Sequence, residues 1–99
     1  MTAAIDWLQD FVLRVYEELP EADIALRIEA TDNPGWIVSI QLLGLPIDPA
    51  AVPRASRESG DGHWLRSTVV GSELVIACGP RDLVEALGLL RDTVDPSSS

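Results

Sequence analysis

The chain has 99 residues, 46% of them hydrophobic, enough for one domain with its own core and too few for two. Sixteen acidic residues against seven basic ones give a formal net charge of -9, which argues against nucleic acid and anionic membrane as partners, since both need a positive surface. Cys78 is the single cysteine, so no intramolecular disulfide can form, and no stretch nears the roughly 20 apolar residues that span a bilayer.

The amino terminus carries Asp6 and Asp10 where a secretory signal would carry positive charge, so a cytoplasmic location is expected. Ile5, Leu8, Val12, Val15 and Leu19 recur at steps of three and four and predict a helix over 3–19, its apolar stripe widened by Ala4 and Phe11. Thr2 can cap it and Pro20 stops it. Strict alternation follows, with Ile24, Leu26, Ile28 and Ala30 on one face and Ala25, Arg27, Glu29 and Thr31 on the other. Asn33-Pro34-Gly35-Trp36 predicts a turn, with Gly35 accepting the positive φ of a type II turn. Trp36, Val38, Ile40 and Leu42 then line a second strand, completing an antiparallel hairpin.

Residues 44–53 read as loop, and a weak third strand is expected over 52–58, which Pro53 places at an edge or gives an irregular start. The Ser59–Gly62 turn precedes two short strands over 63–70 and 73–78. A last helix is expected over 80–94, with Pro80 in its first turn, Asp82 and Glu85 near its positive end, and Leu83, Ala86, Leu87, Leu90 and Val94 inward. This order predicts a single α+β domain over 1–94: a two-layer sandwich of a four- to five-stranded antiparallel meander with both terminal helices packed on one face. Residues 95–99 are expected to be a disordered polar tail.

Little in the chain points to catalysis, to a metal or to a cofactor. His63 is the only histidine, and a lone loop histidine is more often a surface residue than a catalyst. Cys78 ends an apolar strand and reads as a buried structural thiol, although the dipole of the following helix could lower its pKa. Asp6 and Asp10 share a helix face, which in so acidic a chain is first a solvated face. Trp36 is in phase with the core, while Trp64 shares a face with Arg66 and Thr68 and reads as either a core residue or an exposed binding anchor.

Asp6-Trp7-Leu8-Gln9, the run Thr31-Asp32-Asn33-Pro34-Gly35-Trp36, the apolar strand ending at Leu43-Gly44, Trp64, and Gly79-Pro80 leading through Leu83 into a helix occur in this order. With these landmarks the chain resembles the Immunity protein 53 family of bacterial polymorphic toxin systems over about residues 5 to 94. It departs from that family's pattern at Leu74, Ile76 and Cys78, where an aromatic and further glycines precede the Gly-Pro step. The resemblance implies a protein that neutralises a cognate toxin by binding it, without catalysis. A basic nuclease domain is a partner whose positive active site would suit the acidic charge.

The contact residues expected on this reading are the acids Asp10, Glu17, Glu18, Glu21 and Asp23, together with Asp32 and Asn33 at the hairpin tip and Trp64. An acidic adaptor or secretion chaperone without a toxin is the other reading. The oligomeric state is left open.

Overall fold

A computed structural model of the chain describes residues 2–21, 25–52 and 54–95. The elements run α1 (Thr2–Glu18), β1 (Leu26–Thr31), β2 (Gly35–Gln41), a short 3-10 turn (Pro49–Ala51), β3 (Ala55–Gly60), β4 (His63–Val70), β5 (Glu73–Cys78) and α2 (Leu83–Val94). The α+β class, the antiparallel sheet and the two flanking helices are as expected, and the third strand pairs, making five. The side chains of Thr2, Asp23, Ile24 and Pro53 and the tail from Pro96 lie outside the described residues.

The connectivity departs from a simple meander: the strand order is β1-β2-β5-β4-β3. The β1–β2 hairpin and the β3–β4–β5 meander are local units joined where β2 pairs antiparallel with β5, through Val38 opposite Ile76 and Ile40 opposite Leu74. Leu45, Ile47 and Val52 in the β2–β3 connection pack against the core, so apolar burial holds the segment that carries the chain to the far edge.

One face of the sheet carries the core. Val38, Ile40, Leu74, Ile76, Cys78 and Leu65 meet Ala86, Leu87 and Leu90 of α2 and Trp7, Phe11 and Val15 of α1 in one cluster. Each large aliphatic or aromatic side chain buried there stabilises the fold by about 1.5–3 kcal/mol. The opposite face is solvated around Arg27, Glu29, Arg66 and Thr68.

Three local expectations shift. The buried stripe of α1 is Trp7, Phe11 and Val15, while Ile5 is 38% exposed, so the helix is rolled from the orientation its aliphatic spacing predicts. The reason is aromatic: Trp7 stacks on Phe11 with ring centroids 5.3 Å apart and reaches a buried hydrogen-bond partner. Gly35 is not among the positive-φ residues; it opens β2 and is needed for space, because a Cβ there would lie 2.5 Å from the Cys78 carbonyl oxygen. Helix α2 begins at Leu83, and Pro80 lies in the preceding turn, where its carbonyl accepts a hydrogen bond from the Trp36 indole at 3.1 Å.

Candidate partner-binding site

Two corners fix the ends of α2. At its start, Asp82 is 5% exposed and occupies the N-cap position without capping the helix. Its Oδ2 accepts from the Trp64 backbone N–H at 3.0 Å, and its Oδ1 lies 2.7 Å from His63 Nδ1. The hydrogen bond from His63 holds the Asp82 carboxyl below its ordinary value of 3.8, so the carboxylate accepts and the Nδ1–H donates. The Gly79 N–H donates to the Trp64 carbonyl, and an added Cβ at Gly79 would come within 2.2 Å of the Gly62 carbonyl oxygen. Gly35, Trp36, Trp64, Gly79 and Pro80 therefore meet at one corner, although they are spread over 46 positions of sequence.

That corner works as a clasp, tying the start of α2 to the start of β4. No hydroxyl or thiol hydrogen-bonds His63 among the described residues, and both Asp82 oxygens are engaged. Cys78 is fully buried, and burial pushes its thiol pKa up, with the nearby Asp82 charge adding to the effect; this reverses the lowering that a helix dipole would give. No group of three or more His, Cys, Asp or Glu among the described residues could hold a metal ion.

At the other end of α2, Asp95 is 9% exposed, and its Oδ2 accepts from the Trp7 indole at 3.0 Å and from Arg14. Arg14 also lies over the Phe11 ring, 5.8 Å from its centroid. This ties α1 to α2 about 18 Å from the Asp82 corner, the length of a 12-residue helix. Nothing in the chain pattern marks Asp95, which stands at the head of a polar tail, or Asp82, which reads as a dipole partner. Their partners are 18 to 88 residues away, beyond the reach of any periodicity.

The exposed surface of α1 divides into two bands. One flank is apolar: Leu8, Gln9, Val12, Leu13 and Tyr16 line a groove with Leu26 of β1, with Leu13 58% and Tyr16 76% exposed. Beside it runs a stripe of exposed carboxylates, Asp6, Asp10 and Glu17, which fall within about 40° of one another on the helix at 100° per residue. None of the three makes an ion pair among the described residues. Glu17 and Glu18 end a helix with no basic residue in its last turn, where negative charge opposes the dipole. Their placement therefore works against helix stability.

The expected contact residues separate accordingly. Asp10 and Glu17 lie on the carboxylate stripe, and Glu21 is exposed just past the helix. Glu18 is on the other flank, lining a cleft with Arg14, Leu19, Leu45 and Val94. Asp32 and Asn33 are exposed in the β1–β2 turn, where the Asn33 Oδ1 accepts from the Thr31 hydroxyl. Trp64 is half-buried on the solvated face of the sheet, packed toward Gly35 and Gly79 and stacked by Arg66 at 5.8 Å, so it is neither a core residue nor a free anchor. Asp23 lies outside the described residues. The apolar groove beside α1 was hidden from sequence reading, because Leu8, Val12 and Ile5 look like the buried stripe until Trp7 and Phe11 are seen to take that place.

No curated protein and no solved structure gives a match to this chain. The family model described as Immunity protein 53 matches residues 5–95, a span that runs from the start of the α1 apolar face through the Trp64 corner to the buried Asp95. The chain belongs to the Immunity protein 53 family.

Proposed function

We propose that this protein neutralises a cognate bacterial polymorphic toxin in the cytoplasm by binding it, with no catalytic step. The observation that carries this reading is the solvent face of α1, where Asp6, Asp10 and Glu17, without an ion pair among the described residues, stand beside an exposed apolar flank. Unpaired acids steer a basic partner from a distance, and desolvated apolar contacts hold it. A nuclease domain fits as the partner, since its active site is positive and a row of carboxylates can occupy the place of a phosphate backbone. Such a family member needs a toxin partner and no cofactor.

The exposed Leu13 and Tyr16 also favour a second reading, an adaptor or secretion chaperone that dimerises through this patch. Co-expression with the carboxy-terminal domain encoded by the neighbouring gene separates the two. Growth rescue together with a stable one-to-one complex supports neutralisation. A dimer that neither rescues nor binds supports the adaptor. Reversing Asp6, Asp10 and Glu17 together should slow association by about tenfold at low salt, an effect that shrinks as salt rises, with the fold retained. Unchanged association would remove this face from the interface.

A further inference from the structure

Strand β1 ends the sheet, and its free side is open in a way that specifies what it would pair with. The Gln41 N–H donates to the Ala25 carbonyl, and in an antiparallel ladder narrow and wide pairs alternate. Arg27, Glu29 and Thr31 therefore direct their backbone groups to β2. Leu26, Ile28 and Ala30 aim their N–H and C=O outward, away from the sheet.

The side chains of these same three residues lie on the core face of the sheet. Leu26 is only half-buried, while Ile28, at 38% exposure, and Ala30 are exposed. Leu26 meets Leu8, Val12 and Tyr16 across the groove. The edge is six residues long with an unbroken register, carries no proline, and places its charges, Arg27 and Glu29, on the opposite face. Such an edge is a template for another strand.

We infer that β1 is the docking edge for the toxin: an extended segment of the partner adds as a sixth strand, its alternate apolar side chains filling the groove under α1. The inference rests on the toxin-binding reading and names where that binding occurs. The partner segment is basic at the flank that meets α1, because the Asp6, Asp10 and Glu17 stripe runs along the helix beside Leu13 of the groove. A second copy of this chain is disfavoured as the occupant, since each copy brings a net charge of -9 and the same acidic border.

Two variants attack the edge in different ways. Ala30→Pro removes an outward N–H and leaves the β1–β2 ladder its donors, as proline does on the solvent side of an edge strand. Ile28→Arg leaves the backbone whole and sets a cation on the core face of the edge, two residues from Leu26, against a basic segment. Glu58→Lys on β3 is the control.

Binding is read by surface plasmon resonance against an inactivated carboxy-terminal domain from the neighbouring gene, with far-ultraviolet circular dichroism confirming the fold. Each β1 variant should weaken binding by about tenfold or more, and the control by less than about twofold. Wild-type binding with both β1 variants unimpaired would overturn the edge assignment and leave the toxin reading standing. Failure of the wild type both to bind and to rescue growth would overturn that reading, and the docking edge with it. A free chain that sizes as a dimer and becomes monomeric on Ile28→Arg would assign the edge to a second copy instead.

Discussion

The two edges of this sheet are handled in opposite ways. At β3 the register shifts between Glu58 and Gly60, and the tip that follows runs through three positive-φ residues, Gly60, Asp61 and Gly62, which turn the strand end aside. Arg57 on its core face is paired with Glu85 of α2. At β1 the pairing is regular from Leu26 to Thr31, the core-face residues are apolar, and an apolar groove takes the place of a packed helix. One sheet thus guards one edge with a bulge and paired charge and leaves the other regular and apolar. On the docking proposal, the guarded edge maintains the fold and the open edge is the one offered to a partner.

The comparison breaks first at the centre, which both edges share. Ile76, fully buried between β2 and β4, should cost about 2–5 kcal/mol on replacement by Ala, with chemical denaturation showing a single transition. Two transitions would mean that the β1–β2 hairpin and the meander are separate cooperative units. Next, Gly79→Ala drives a Cβ against the Gly62 carbonyl oxygen and should cost about 1–3 kcal/mol, measured by thermal melting. Because Gly62 belongs to the β3–β4 turn, amide exchange should rise there before it rises in β1.

Acid sharpens the same contrast. The lowered pKa of Asp82 contributes stability that is present above its ordinary value of 3.8 and lost as pH falls through the lower, folded value. Acid unfolding followed by tryptophan fluorescence should therefore begin around Trp64, and Asp82→Asn should flatten that limb. The smallest effect belongs to Arg57→Ala. It removes an ion pair whose side chains are 40% and 55% exposed, so it should change stability by less than about 1 kcal/mol while making β3 more prone to associate, as seen by light scattering.

Much of this architecture was legible from the chain. The period-2 runs of β1, β2, β4 and β5 and the aliphatic spacing of both helices place these elements within a few residues of where they lie. The strand order was not, because inserting β5 between β2 and β4 is decided by apolar matching of Ile76 with Val38 across 38 positions, which no local pattern encodes. The acids of α1 on which the proposed site rests are visible in the composition, but the groove beside them is not. The roll of α1 that exposes Ile5 and opens the groove depends on Trp7 reaching Asp95, a contact spanning 88 residues.

The most direct test of the β1 assignment is amide hydrogen exchange at the two edges, free and in complex with the toxin domain. The amides of Leu26, Ile28 and Ala30 should slow by about tenfold or more on binding, while those of β3 stay unchanged. Protection at β3 instead, or at neither edge in a complex that forms, would contradict it.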